Sequence, residues 1–164
     1  MCVKTAKRTI VPLSVDEVAR FWSSFRNSRD LAIVGLMLLQ GLRSHEVLDL
    51  RWDDLLLSES QIRVRGKGNK TRFLPLTPEA TQVLDHYLRL ERPQTSTDAL
   101  FVSLKGPARG TRMTPAGLRS SFRYHRRTTG VKAAEAREGN QNRNARCARM
   151  FIRRKYSPDI LPLS

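Results

Sequence analysis

The segment LAIVGLMLLQGL, residues 31–42, constrains the fold of this chain more than any other stretch. It is apolar on nearly every face of a helix, and such a helix is stable in water only when other elements surround it. It is also too short to cross a bilayer, which needs about 20 apolar residues. We therefore predict a central core helix from roughly Arg29 to Gln40, ended by Gly41.

Capping signals predict further helices around this core. Ser14 and Glu17 have the spacing of a capping box, and the apolar residues after them share one helical face: Val15, Val18, Phe21, Trp22 and Phe25. A short helix is expected over residues 44–50. Thr77-Pro78 and Thr114-Pro115 each place a capping threonine before a proline at the first helical position.

The middle of the chain has the pattern of a small sheet. In QIRVR, residues 61–65, Ile62 and Val64 point to one face and Arg63 and Arg65 to the other. GKGNK has the composition of a tight hairpin turn, TRFLPL is the returning strand, and DLLL is a third, short strand. The fold class predicted is α+β, mainly α, with a small three-stranded antiparallel sheet.

The charge balance points to a polyanionic partner. The chain of 164 residues has 30 Lys and Arg against 15 Asp and Glu, a formal net charge of +15. Nucleic acid is the first candidate partner and an anionic membrane surface the second. A basic surface can also serve solubility alone. The positive residues are spread over the whole chain, which favours nucleic acid.

The cysteines and histidines predict neither a disulfide nor a metal site. Cys2 and Cys147 lie at opposite ends, and the three histidines, His45, His86 and His125, are scattered. This usage suits a reducing compartment, and nothing at the N-terminus resembles a signal peptide. We expect a cytoplasmic protein associated with the bacterial nucleoid.

Three segments are predicted. Residues 1–12 are a basic linker stump, residues 13–131 form the domain, and residues 132–164 form a divergent tail. The tail is rich in Arg and Asn and has no sustained apolar period. Such a sequence cannot bury enough surface to fold alone, so we expect it to be disordered.

Three motifs together resemble the tyrosine recombinases, also called the phage integrase family. They are LLQGLRSHEVLDLRWDDL, then IRVRGKGNKTRFLPL, then MTPAGLRSSFRYHRRTTGV, in that order and within residues 10–131. GLRxxE alone is a weak signal and GKGNK alone is only a basic hairpin, but their combination and spacing are specific. The resemblance implies an incomplete tyrosine recombinase catalytic domain. Intact members of the family cut and rejoin DNA without metal or nucleotide, so no cofactor is implied.

The resemblance also implies roles for particular residues. Arg43 matches the family's first catalytic arginine, which grips the scissile phosphate, and Glu46 matches the acid that supports it. A guanidinium suits that task because it donates two hydrogen bonds to the charged oxygens. Lys67 matches the lysine at the hairpin tip, which helps protonate the leaving 5′-hydroxyl. The residues expected to contact DNA are Arg63, Arg65, Lys70, Arg72, Arg119, Arg123, Arg126 and Arg127.

Each of these residues has an ordinary alternative role. Arg43 and Glu46 could form a surface ion pair, which contributes little. Lys67 could be a solvated turn residue. The four arginines between Arg119 and Arg127 share one helical side with no acid among them, which favours phosphate contact over a solvated face.

The end of the chain departs from the family pattern. The family's His-x-x-Arg motif should follow the helix that ends near Gly130, yet no histidine follows His125. The Gly-His pair is missing, and the late Tyr156, in RRKYSP, lacks the nucleophile's context. We therefore expect a catalytically inactive, truncated or frameshifted chain, because no phosphotyrosine can form.

Three functional interpretations remain open from the sequence. The first is a DNA-binding member of the site-specific recombinase class, which serves DNA integration and recombination, that keeps Arg43 and Lys67 but does not turn over. The alternatives are a non-catalytic, salt-sensitive DNA-binding module and a non-functional gene remnant. The expected partner is double-stranded DNA, on which a second copy or a full-length recombinase would join it. A small RNA-binding protein is disfavoured because the aromatic and glycine pattern of common RNA modules is absent.

Overall fold

A central helix organises the fold, as the sequence predicts. The computed structural model describes residues 14–131 except 67 and 69, so the segments 1–12 and 132–164 and Lys67 lie outside the described residues. Helix α2 spans Ser28–Leu39, and all residues from Leu31 to Leu36 are buried in it. It ends as predicted: Gly41 takes φ +68°, and the Leu42 N–H returns to the Leu36 carbonyl over 3.3 Å.

Three of the remaining helices begin directly after the predicted capping residues: α1 spans Val15–Ser23, α4 Pro78–His86 and α5 Pro115–Thr129. The predicted short helix, α3, spans Ser44–Leu48. The capping box of α1 is confirmed, since Ser14 Oγ accepts from the Glu17 N–H at 3.2 Å and the Ser14 N–H donates to Glu17 Oε2 at 2.7 Å. A π-helical turn, Tyr87–Glu91, continues α4. Helix α3 ends two residues earlier than predicted.

The predicted sheet is present. Strands β1 (Leu55–Leu56), β2 (Gln61–Arg65) and β3 (Thr71–Pro75) are antiparallel in the order β1-β2-β3. Ile62 and Val64 are fully buried, while Arg63 and Arg65 lie on the other face. The register pairs Val64 with Arg72 and Arg63 with Phe73. Paired residues share a face, so Arg72 lies on the core side of the sheet.

The core connects all of these elements. Its largest fully buried side chains include Trp22, Phe25, Tyr87 and Phe101. The segment from Ala99 to Val102 is buried, and the Tyr87 hydroxyl donates to the Leu100 carbonyl at 3.1 Å. The fold class, mainly helical with a three-stranded antiparallel sheet, is confirmed.

Candidate nucleic-acid interface

Arg43 has an exposed side chain, and its backbone is held by buried neighbours. It directly precedes α3, and its neighbour Leu42 is buried. Its backbone N–H donates to Glu46 Oε2 at 2.8 Å, while its side chain is 72% exposed. The fold therefore fixes the backbone of Arg43, while its guanidinium is mostly exposed and forms a long ion pair, from Nη1 to Glu46 Oε1 at 3.5 Å.

Glu46 is a buried carboxylate whose main partner is Arg72. The Arg72 guanidinium donates from Nη1 to Oε1 at 2.9 Å and from Nη2 to Oε2 at 3.0 Å. These hydrogen bonds, more than any other cause, lower the pKa of Glu46 from 4.5 to about 2, although burial acts in the opposite direction. Glu46 is thus ionised at neutral pH and satisfied by a bidentate partner.

The position of Arg72 follows from the register of the hairpin. Arg72 pairs with the fully buried Val64, so its side chain leaves the sheet toward α3. Gly66 leaves room for it: a Cβ there would stand 3.2 Å from Arg72 Nη1. The predicted phosphate contact of Arg72 stays a prediction, and within the protein its guanidinium is bound to Glu46.

Arg63 and Arg65 converge on one buried acid. Asp54 Oδ1 accepts from Arg63 Nε at 2.8 Å and from Arg65 Nη2 at 2.9 Å, and Oδ2 accepts from the Arg51 N–H at 2.9 Å. Each of the two strand arginines keeps about a third of its side chain exposed. Two cations on one carboxylate leave a net positive charge at this surface.

The described residues of the hairpin tip, between β2 and β3, form a closed turn. Gly66 N–H donates to the Lys70 carbonyl at 2.8 Å, and Gly68 takes φ +74°. Lys70 is exposed. Lys67 is outside the described residues, so its predicted role stays a prediction.

The arginines of α5 form an exposed basic stripe, hereafter the α5 stripe: Arg119, Arg123, Arg126 and Arg127. The other side of α5 packs on the domain through Leu118 and His125, which are buried, and Phe122, which is half-buried. Ser121 adds a hydrogen bond to Asp30 Oδ2 at 3.0 Å. The helix is thus held by its inner side, and the stripe faces outward.

His125 is a packing residue of α5. Its Nδ1 lies 2.9 Å from Ser24 Oγ, and its ring centroid is 4.0 Å from that of Phe25. Because the Ser24 hydroxyl donates to the Phe21 carbonyl at 2.6 Å, Ser24 Oγ accepts here and Nδ1 carries the proton. Burial lowers the pKa of His125, and the charge of Asp30 opposes that effect.

The sequence analysis predicted only part of this ion-pair network. Glu46 was assigned a supporting role, but Asp54 was not singled out, nor was the link from Arg72 to Glu46. The hairpin offered a signal: strands mirrored about Gly68 place Val64 opposite Arg72. The sequence around Asp54 gave no such signal. Its partners, Arg63 and Arg65, belong to β2, and the turn between β1 and β2 determines that they reach Asp54.

The described residues contain neither a metal-binding cluster nor a membrane-spanning helix. Among them, no cluster of three or more His, Cys, Asp or Glu could hold a metal ion. No helix in the described part of the chain is both long and apolar enough to cross a membrane.

Comparison with known families gives one consistent match. The profile of the "Phage integrase family" matches residues 12–160. The match covers most of the chain and extends past Val131 into the segment after α5.

Curated relatives are similar over a part of their length. The chain is 34% identical over 140 residues to the tyrosine recombinase XerC of Alcanivorax borkumensis, covering 79% of this chain and 44% of that protein. It is 32% identical over 154 residues to XerD of Listeria innocua, covering 77% of this chain and 52% of that protein. The chain therefore spans about half the length of these relatives.

Solved structures share the fold. The XerA recombinase superposes with a TM-score of 0.66 at 26% identity, covering 90% of this chain and 52% of that one. The catalytic core of lambda integrase superposes with a TM-score of 0.57 at 15% identity, covering 92% of this chain and 90% of that one. The recombinase XerH, solved bound to its difH substrate before cleavage, gives 0.60 at 22% identity, covering 94% of this chain and 46% of that one.

Proposed function

The chain belongs to the phage integrase family of tyrosine recombinases, and we propose that it binds double-stranded DNA without cutting it. The observation that carries the proposal is the arrangement at α3, where a fixed backbone presents the exposed Arg43 guanidinium beside a carboxylate that Arg72 already satisfies. An exposed guanidinium on a fixed backbone, with only a 3.5 Å ion pair to Glu46, suits a phosphodiester group.

Two further basic surfaces support binding to a polyanion. The first is the Asp54 cluster, in which Arg63 and Arg65 share one carboxylate. The second is the α5 stripe, whose helix contains no acidic residue. Contacts of these kinds go to phosphates, so they predict strong salt dependence and little sequence preference.

Catalytic inactivity is the second part of the proposal. In the family, as the resemblance implies, a second arginine and a nucleophilic tyrosine complete the site that Arg43 and Lys67 begin. The sequence after His125 contains no histidine, and Tyr156 stands outside a matching motif. Without a nucleophile, no covalent 3′-phosphotyrosine link forms, and the phosphate is gripped but not transferred.

An assembly on DNA belongs to the same proposal. Lambda integrase has been solved as a tetramer on a Holliday junction, and its fold superposes on this chain with a TM-score of 0.63 at 14% identity, covering 96% of this chain and 45% of that one. We infer that this chain occupies DNA beside a second copy or a full-length recombinase, as a competitor for the site. Nucleoid association follows from the same binding.

Fluorescence anisotropy with a labelled 30-base-pair duplex tests the binding. We expect affinity to fall steeply between about 50 and 200 mM salt. In a plot of log association constant against log salt concentration, each phosphate contacted should add about 0.9 to the negative slope. Affinity that stays constant over this range would rule out binding through phosphate contacts, and with it the proposal.

Covalent capture on nicked duplexes tests the inactivity. We expect no adduct that resists sodium dodecyl sulfate. An adduct that disappears in Tyr156→Phe would show that the chain is a working recombinase.

A further inference from the structure

Glu46 lies between two arginines and binds them unequally. Arg72 makes two hydrogen bonds to its carboxylate, at 2.9 and 3.0 Å, whereas Arg43 Nη1 stands 3.5 Å from Oε1. The Arg43 side chain is 72% exposed and the Glu46 side chain 1% exposed. One arginine is therefore bound in place, and the other stands close enough to replace it.

We propose that Arg72 is a positioning residue: by occupying the Glu46 carboxylate, it keeps the Arg43 guanidinium free for a DNA phosphate. The inference rests on the proposed function, because the phosphate is that of bound DNA. It replaces the phosphate contact predicted for Arg72 from sequence with an indirect role.

The electrostatics of the buried carboxylate support this role. A buried ionised carboxylate needs a partner, and removing one from a pair leaves an uncompensated charge. If Arg72 is absent, the nearest described cation is Arg43, whose Nη1 needs to move only a few tenths of an ångström to reach hydrogen-bonding distance. Arg43 would then donate to Glu46, and its fork would no longer be open to a phosphate.

The hairpin is built to hold Arg72 there. Pairing with Val64 places Arg72 on the core side of the sheet, and Gly66 leaves space for its guanidinium. Arg43 directly precedes α3, and Lys67 lies between β2 and β3 in the sequence. The same ion pair therefore also joins the two segments to which the family resemblance assigns the phosphate.

Duplex binding by a set of variants tests the proposal. We expect Arg72→Met to weaken binding on the order of tenfold, like Arg43→Met, because both remove the guanidinium from the phosphate. The double variant Glu46→Gln/Arg72→Met should bind within about threefold of wild type, since the neutral amide no longer captures Arg43. Arg89→Met, which removes an exposed charge on the turn after α4, is the matched control for charge loss.

A direct phosphate contact by Arg72 gives the opposite pattern. The double variant would then bind as weakly as Arg72→Met, and both would lose about 0.9 from the salt slope. That result would overturn the proposal. If Arg72→Met does not fold, the double variant still decides, because it contains no buried unpaired charge.

A DNA-free measurement separates this inference from the proposed function. Phenylglyoxal modifies accessible guanidinium groups, and mass spectrometry reports the extent at Arg43. We expect Arg43 to react readily in wild type and in the double variant, and several-fold more slowly in Arg72→Met. Equal reactivity in all three would disprove the capture of Arg43, whether or not the wild-type chain binds DNA.

Discussion

Arg72 and Glu46 join the hairpin to helix α3 through two parallel hydrogen bonds, from Nη1 to Oε1 at 2.9 Å and from Nη2 to Oε2 at 3.0 Å. The residues are far apart in sequence, and each belongs to an element that the family resemblance assigns to the phosphate. The pair therefore connects stability to the geometry of the candidate site. Its first consequence concerns pH.

Glu46→Gln should flatten the acid limb of the stability curve. The pKa of Glu46 is lowered from 4.5 to about 2 in the fold, so the unfolded chain binds the proton more readily. Its contribution to the free energy of unfolding is present above about pH 4.5 and is lost as pH falls toward 2. Urea unfolding from pH 7 to 2 measures this. An unchanged acid limb in the variant would contradict the role of the pair.

Asp54→Asn should destabilise the sheet. Asp54 Oδ1 receives hydrogen bonds from Arg63 and Arg65, and its side chain is almost fully buried. Because both arginines are a third exposed and rehydrate, we expect a loss of about 1–3 kcal/mol, less than for a fully buried pair.

The neighbouring Asp53 supplies the matched control for this variant. Asp53 is exposed, and its backbone carbonyl accepts from Arg63 Nη2 at 3.2 Å. Asp53→Asn therefore removes the same charge one residue away and keeps the hydrogen bonds of the cluster. Thermal unfolding followed by circular dichroism compares the two variants. Equal stability losses in the two variants would show that the hydrogen bonds from Arg63 and Arg65 to Asp54 do not account for the loss in Asp54→Asn.

The elements of this fold could be predicted from sequence because their signals are local. Thr114-Pro115 marks the start of α5 and Gly41 the end of α2, and in each case neighbouring residues alone determine the conformation. Residues 31–42 predicted the central helix because only burial satisfies an apolar surface on all sides.

The partners within the site could not be predicted in the same way. The side chain of Arg72 looks like a DNA contact until the register pairs it with Val64. Asp54 looks like one of two adjacent surface acids until β2 returns over it. Both relationships depend on the position of a strand distant in sequence. The partners of an ion pair can be predicted only once the register of the strands is known.

Replacing arginines of the α5 stripe should reduce the salt slope one contact at a time. Arg119→Gln, Arg123→Gln, Arg126→Gln and Arg127→Gln each remove one exposed charge from a helix without acids. Each variant that loses a phosphate contact should lower the slope by about 0.9. Duplex anisotropy over a salt series measures it, with Arg89→Gln as the control. If all slopes match wild type, the stripe is only a solvated face.

Two hairpin glycines should respond differently to alanine. Gly68 takes φ +74° with open space around it, so Gly68→Ala costs about 1 kcal/mol of backbone strain and leaves the ion pair intact. In Gly66→Ala, the new Cβ meets Arg72 Nη1 at 3.2 Å, and the guanidinium must shift. Gly66→Ala should therefore raise the pKa of Glu46 toward 4.5, and Gly68→Ala should not. Acid unfolding curves distinguish the two, and a shift confined to Gly68→Ala would refute the assignment.

His125→Gln should remove a pH dependence near neutrality. Burial against Phe25 lowers the pKa of His125 in the fold, and Asp30, which faces it, only partly offsets this. The unfolded chain therefore binds the proton more readily, so stability is full above about pH 6.5 and falls as pH drops through the lower folded value.

The physical cause is local to the junction of α1 and α5. Protonation adds a charge at Nε2, while Nδ1 already donates to Ser24 at 2.9 Å. His45→Gln is the matched control, since His45 is exposed. We expect urea midpoints between pH 7.5 and 5 to fall in wild type and in His45→Gln, and to fall less in His125→Gln. Equal slopes in all three would show that burial of the His125 ring does not make stability depend on pH.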